Sequence, residues 1–346
     1  MVCFSNKKIC FLLISNIFLP LKKSISMEQL TFIELAKLLI SFAVLAPSGH
    51  NSQPWHFEVS DSTIIITPDY NKRLAVVDKE NRELFISLGC AVQNLISAAH
   101  HYGYDAKYVY DGGKIFVKIS KQEVLNDDPL FEAIEKRHTH RGSFTGKKIA
   151  DSLLQNVENK ENTAVLIFDS NSREAAAIRQ KIAEGNDIQM SDTAFKRELT
   201  EWMRFNKKHV NETRNGLCYN VLGFPATPKP IGRRIISMFL NPKAQNKTDN
   251  AVNSTVSHFG VFCVRKNTVE NWIDLGVVLE TFLLKITKSG ISYSFSNQPC
   301  EIPEISKSLQ KELGITFCPS VVIRLGYSGK APKYFAPREE IKFWEN

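Results

Sequence analysis

Two polar clusters hold the residue types that could do chemistry. The first is Pro47-Ser48-Gly49-His50-Asn51-Ser52-Gln53, where Ser48, His50, Asn51, Ser52 and Gln53 put hydrogen-bonding side chains into an otherwise apolar background. A loop of this kind, held between rigid elements, can orient a flat polar ligand. The second is Lys136-Arg137-His138-Thr139-His140-Arg141, three cations and two histidines in six residues. It suits an anion, because a phosphate takes several charge-assisted donors worth about 1.5–3 kcal/mol each and arginine offers a bidentate fork. Each cluster also has a plain reading: a turn that happens to be polar, and a solvated basic patch. His138-x-His140 lacks a third ligand, so no metal is assigned. No Ser/His/Asp or Cys/His arrangement can be argued either, so no side chain is assigned as a catalytic acid, base or nucleophile.

Both clusters need elements to hold them. Phe32, Leu35, Leu39, Ile40, Phe42 and Ala43 recur at helical spacing, and Pro47 should end that helix. Strands follow at 56–59 and 63–67 around a Ser60-Asp61-Ser62 turn. Leu84, Leu88, Val92, Leu95 and Ala99 predict a long helix from Glu83 to about Tyr102, stopped by Gly103. Its small residues Gly89, Cys90, Ala91, Ala98 and Ala99 invite close approach by another element. Strands near 107–110 and 114–119 follow around Asp111-Gly112-Gly113. His100-His101, at the helix end, reads as a solvated terminus, since adjacent residues face different sides.

The second part of the chain repeats the first. Residues 51–59 match residues 253–261 at five of nine positions: Asn, Ser, His, Phe and Val. Leu88-Gly89 and Gly103 share their fourteen-residue spacing with Leu275-Gly276 and Gly290. Strands at 115–119 and 321–325 come next in each copy, and the common order argues for an internal duplication. The expected fold is α+β, two related halves packed as an intramolecular pseudo-dimer through helices 84–102 and 271–289. The halves are placed at 27–125 and 126–346. Residues 195–250 form an insertion in the second, with a helix predicted at 195–208 and a short basic helix at 233–240. Its glycines and prolines (Gly216, Gly223, Pro225, Pro228, Pro230) suit a lid or pocket wall, or simply a cover over apolar surface.

The run Pro47-Ser-Gly-His-Asn-Ser-Gln-Pro-Trp-His-Phe57 resembles the flavin-contacting loop of the nitroreductase superfamily, over a likeness covering roughly residues 28–341. The two-half architecture is most similar to that of the dormancy-associated nitroreductase-like proteins of mycobacteria. That resemblance implies FMN as cofactor, touched by Pro47, Ser48, Gly49, His50, Asn51 and Gln53. It implies that Arg137 and Thr139 hold the FMN phosphate and that Arg141 faces the N1–O2 edge of the flavin. Pro332-Lys333 resembles the superfamily's terminal phosphate contact, but Phe335 and Ala336 stand where an arginine usually follows, with Arg338 just beyond. The implied activity is oxidoreduction, NADH or NADPH giving hydride to FMN and a nitroaromatic, quinone or similar small molecule accepting it. Storage or sequestration of FMN is the alternative. The Asn51 loop and the Arg137 cluster would then form opposite walls of one site, each half keeping one side.

Bulk properties narrow the partners. The net charge is +8, but residues 1–26 hold Lys7, Lys8, Lys22 and Lys23 and no acid, which leaves 8 − 4 = +4. The remaining charges are mixed in sign, so no nucleic-acid partner is expected. Seven scattered cysteines without a Cys-x-x-Cys pair point to a reducing compartment, and the cytoplasm is expected. The apolar run in 9–21 is broken by Ser15, Asn16 and Pro20 and is too short to span a bilayer, so no membrane partner is expected. Met27 is read as a candidate start, which makes 1–26 an upstream artefact; a membrane-targeting or anchoring segment and an ordinary helix are the alternatives. No dinucleotide fingerprint or Walker sequence occurs. A homodimer beyond the internal one stays open.

Overall fold

The computed structural model describes residues 30–123, 128–154, 159–341 and 343–345, so the 1–26 segment lies outside the described residues. Helix α1 (Phe32–Ala43) opens on a capping box in which the Thr31 hydroxyl accepts from the Glu34 amide and the Glu34 carboxylate accepts from the Thr31 amide. Strands β1 (Trp55–Ser60) and β2 (Thr63–Pro68) form a hairpin. Helix α2 (Arg82–His101) follows, then β3 (Tyr104–Asp111), β4 (Lys114–Lys121) and the short α3 (Phe131–Lys136). Strand β5 (Thr163–Asp169) leads into α4 (Arg173–Gln189), α5 (Thr193–Glu201), β6 (Met203–Arg204), α6 (Lys207–Thr213) and β7 (Leu217–Cys218). Helices α7 (Lys229–Phe239) and α8 (Pro242–Asn253) precede β8 (His258–Val264) and the long α9 (Val269–Lys288). The chain ends through β9 (Ser292–Phe295), α10 (Gln298–Glu301), α11 (Pro303–Glu312), β10 (Cys318–Gly326) and β11 (Phe343–Glu345). The fold is α+β.

The two main sheets share one plan. The first runs β1-β2-β4-β3 and the second β5-β8-β10-β9, every neighbouring pair antiparallel, with the long helix following the second strand of each. This topology corrects one detail of the sequence repeat. The 51–59 stretch enters β1, but 253–261 enters β8, whose counterpart is β2. Five matches in nine positions align two strands that are not equivalent. The glycine spacing on the helices does align. The hairpin turn of the first sheet is replaced in the second by the whole excursion between β5 and β8, longer than the 195–250 insertion read from the sequence. The helix predicted at 195–208 is interrupted at residues 202–206, where Met203-Arg204 pairs as a strand with Leu217-Cys218.

Helices α2 and α9 cross at their glycines. A Cβ on Gly89 would sit 2.1 Å from the Ile273 carbonyl oxygen, and one on Gly276 the same distance from that of Ile86. Only hydrogen on both residues lets the backbones meet. One continuous core therefore runs through both sheets, from Phe57, Ile64 and Val117 through Leu88, Leu95, Leu279 and Leu283 to Phe262 and Ile323. The far face of the second sheet is covered by Ile178, Ile182 and Val252, so β8 is buried on both faces and reads as an unbroken apolar run. Finally, β11 crosses back to lie parallel to β1 (Phe57 opposite Phe343), putting residues far along the chain at the edge of the first sheet.

Candidate functional site

The 47–53 loop is strained. His50 (φ 51°), Asn51 (φ 55°) and Gln53 (φ 55°) all adopt the left-handed conformation. Non-glycine residues rarely do so, and such conformations persist where surrounding contacts over-determine them. The contacts are visible. The Ser48 hydroxyl accepts from the Gln53 amide (3.0 Å), and the Asn51 carbonyl accepts from the Gly216 amide (3.1 Å). The Asn51 side-chain amide donates to the Pro337 carbonyl (3.1 Å), and that of Gln53 to the Arg214 carbonyl (3.0 Å). Gln53 Oε1 accepts from the Glu339 amide at 2.9 Å. Asn51 and Gln53 thus act as struts between the loop, the excursion and the C-terminal segment, whereas the resemblance had them touching a cofactor.

Arg338 completes the frame. Its guanidinium donates to the carbonyls of Val44 (2.7 Å) and Leu45 (2.9 Å) and to Asn51 Oδ1 (2.8 Å). Burial, followed by the charge of Arg137, pushes its pKa down to about 9. Arg137, 5 % exposed, donates from Nη1 to the Tyr293 hydroxyl (2.6 Å) and from Nη2 to the Leu45 carbonyl (2.5 Å). Its Nε lies 3.0 Å from Oε1 of Glu280, which is fully buried. That contact is an ion pair without hydrogen-bond alignment, since neither Glu280 oxygen has a hydrogen-bond partner. All three Arg137 nitrogens are directed at protein atoms, which differs from the phosphate role the resemblance implied. The reason is Glu280, an acid placed in the middle of an apolar helix face. Burial pushes its pKa up to about 7 even with Arg137 opposing.

Thr139 pairs as an isolated bridge with Tyr293, and the His140 amide donates to the Tyr293 carbonyl at 2.7 Å. In extended chain alternate residues face opposite sides. His138 accordingly lines a groove of ≈ 650 Å³ together with Lys136, Lys147, Tyr327 and Lys330, while Arg137 turns the other way, toward Tyr293 and Leu45. Arg141 has exposed surface, yet burial lowers its pKa. At His50, burial first and then the Arg141 charge push the pKa down to about 4. The Arg141 charge is thus felt at the strained loop. Lys333 is exposed, with its ammonium 5.4 Å from the Tyr334 ring centre, and no described contact links it to His50 or Arg141.

Beneath the loop lies a group the sequence reading missed. Asn297 donates to Glu83 Oε1 at 3.0 Å, and burial followed by the charge of Glu301 pushes Glu83 up to about 8. A Cβ on Gly49 would stand 3.3 Å from Glu83 Oε2, so the loop rests on this acid. Glu280 could have been suspected as a lone acid in an apolar helical face; Glu83, in the first turn of α2 where acids are ordinary, gave no such signal, and neither did Tyr293 or Arg338. Ser257, His258 and Asp151 also approach one another (2.9 and 3.4 Å), but Ser257 is buried and its hydroxyl accepts from the Ile149 amide, so the set is structural. Among the described residues no group of metal-binding side chains occurs.

The burial of His50 has a pH signature. A histidine whose folded pKa is depressed stays neutral while the unfolded chain takes a proton. Its contribution to stability therefore falls as pH drops from about 6.5 to about 4. His50→Asn, a residue that tolerates the left-handed backbone, should lose that dependence, flattening the urea-unfolding profile by about 2 kcal/mol over this window. Superimposable wild-type and variant profiles would show that His50 is not shielded.

Known proteins were compared with the chain. No family model matches it. It is 23% identical over 333 residues to the "Putative NAD(P)H nitroreductase Rv3131" of Mycobacterium tuberculosis strain H37Rv, covering 89% of this chain and 90% of that protein. It is 21% identical over 197 residues to the "Probable NAD(P)H nitroreductase PigM" of a Serratia strain, covering 53% of this chain and 55% of that protein. Among solved structures, the FMN and NADPH-dependent nitroreductase NfnB from "sphigopyxis sp. strain HMH" shares 16% identity at a TM-score of 0.41, covering 61% of this chain and 95% of that one. The match to the mycobacterial protein extends across most of both chains, and the sequence resembles the nitroreductase superfamily.

Proposed function

We propose that this chain is an FMN-dependent oxidoreductase that takes hydride from NADH or NADPH and reduces a nitroaromatic, quinone or similar small acceptor. The observation that supports this reading is the strained 48–53 loop, whose buried His50 is held neutral with the Arg141 charge acting on it. The halves are read as an internal duplication forming a pseudo-dimer, with 195–250 as a lid. The residues fit the cofactor in part. Pro47, Ser48, Gly49 and His50 offer a rigid wall with a neutral imidazole, and Arg141 offers a cation, while Thr139 and Lys333 are the groups proposed for the phosphate. Arg137, Asn51 and Gln53 would support this wall from behind.

Bound FMN would supply the two-electron chemistry; the protein binds, orients and tunes. Arg141, whose pKa burial lowers, would favour negative charge opposite it more strongly than it could in bulk water. His50, held neutral, adds no competing cation and can either donate or accept a hydrogen bond. The struts from Arg214, Gly216 and Arg338 fix the loop, so little reorganisation is needed as charge develops.

Those same struts favour a second reading, an FMN-holding protein with little turnover. The excursion is bonded directly to the loop, which would hinder entry of a nicotinamide. Reconstitution with FMN followed by anaerobic mixing with NADH or NADPH tests both. Bleaching within seconds supports the oxidoreductase, tight binding without bleaching supports storage, and failure to take up FMN overturns both. Arg141→Ala should weaken FMN binding at least ten-fold.

A further inference from the structure

Helix α7 carries an apolar face with nothing described upon it. Ile231 (54 % exposed), Ile235 (43 %), Met238 (72 %) and Phe239 (65 %) all present large side chains to solvent, and Phe224 just before the helix does so too. At 100° per residue the four helical positions fall within an arc of about 100°, a single stripe. Gly232 turns the adjacent side inward, where a Cβ would strike the Phe205 ring at 2.4 Å, so the helix is seated on the protein by one side and bare on the next. Patches of this kind mark interaction surfaces.

The surrounding charge selects the partner. From residue 213 to 248 the chain has Arg214, Lys229, Arg233, Arg234, Lys243 and Lys247 and no acid. Arg214 pairs with Glu340, whereas the other five make no ion pair among the described residues. We propose that α7 is a docking element for an anionic lipid surface, its apolar stripe entering the headgroup boundary while Arg234, beside the stripe, meets lipid phosphates and the other cations of the segment add long-range attraction. Basic amphipathic helices with long apolar side chains bind interfaces in this way. A second copy of the chain is disfavoured because a two-fold contact through the stripe would bring Arg234 against its own symmetry mate. Residues 1–26, themselves carrying four lysines and no acid, are disfavoured because they too would set cation against cation. No described helix is long and apolar enough to cross a membrane, so the association would be peripheral.

Co-sedimentation of the full chain with vesicles tests this. Phosphatidylcholine vesicles containing half phosphatidylglycerol should pellet the protein at low salt, and vesicles of phosphatidylcholine alone should not. Met238→Asp/Phe239→Asp should lower the partition coefficient at least ten-fold, and Arg233→Gln/Arg234→Gln should lower it and weaken its salt dependence. Both pairs are exposed, and unchanged circular dichroism and melting would confirm that the variants fold. The proposal is overturned if the wild type ignores anionic vesicles, or if the aspartate variant binds them unchanged. It is equally overturned if light scattering shows a dimer that the aspartate variant dissolves, for then a second copy covers the stripe.

Discussion

Gly89→Ala, or equally Gly276→Ala, should cost about 3–5 kcal/mol or prevent folding, the largest effect expected from adding one methyl group to this chain. The added carbon would lie 2.1 Å from a backbone carbonyl oxygen of the opposing helix. No rotamer relieves that overlap, because the neighbour is main chain. The helices must separate, and Leu88, Leu95, Leu279 and Leu283 on the same seam would lose contact together. Urea denaturation reads the loss directly. Gly113→Asn is the matched control: its left-handed backbone (φ 82°) tolerates asparagine and nothing lies within 4 Å of the new carbon. A Gly89→Ala protein within 1 kcal/mol of wild type would mean that α2 and α9 do not cross this closely.

Arg137→Met should destabilise the chain by about 3–5 kcal/mol at pH 8, because it strands the buried Glu280 without its partner. The size should depend on pH. Glu280 is already pushed up to about 7, and without Arg137 its folded pKa rises further above the unfolded carboxylate value. Stability held by the protonated acid is then lost as pH rises through that range, so the defect should shrink at pH 6. Arg137→Met/Glu280→Gln should recover much of the loss, since an uncharged pair leaves no buried ion. Unfolding curves at both pH values, with FMN binding measured alongside, separate two roles. Lost flavin affinity with unchanged stability would return Arg137 to the phosphate contact implied by the resemblance. Lost stability that the double variant rescues identifies it as a clamp that ties Leu45, Glu280 and Tyr293 together.

Local patterns in the sequence were informative where one element decides the outcome. The steps of three and four from Leu84 to Ala99 define α2 within a residue at each end, and the Gly89/Gly276 spacing located the crossing of the long helices. Patterns that depend on distant partners were not legible. The match of 51–59 with 253–261 paired β1 with β8 because His-Phe at a strand entrance is a local feature, whereas strand order is fixed by hydrogen bonds to β10 and β4. Arg137 has the spacing of an anion ligand, and only the fold brings Glu280 and Tyr293 to it. The same holds for Asn51 and Gln53, whose partners Arg214, Pro337 and Glu339 lie far along the chain. His50 and Arg141, expected on facing walls of one cleft, are linked only by the Arg141 charge that helps to lower the His50 pKa.

The parallel pairing of β11 with β1 sets an order of events during synthesis. When residues 30–123 have left the ribosome, β1 is a bare edge and the carbonyls of Val44 and Leu45 lack Arg338. Neither gap can close until residues 338–345 are made. The nascent first sheet must wait through more than half of translation with an open strand edge, the interval in which it is most exposed to pairing with another chain. Maturation of the 48–53 loop is thereby tied to the last stage of elongation, and a ribosome that stalls before residue 338 leaves the loop unclamped.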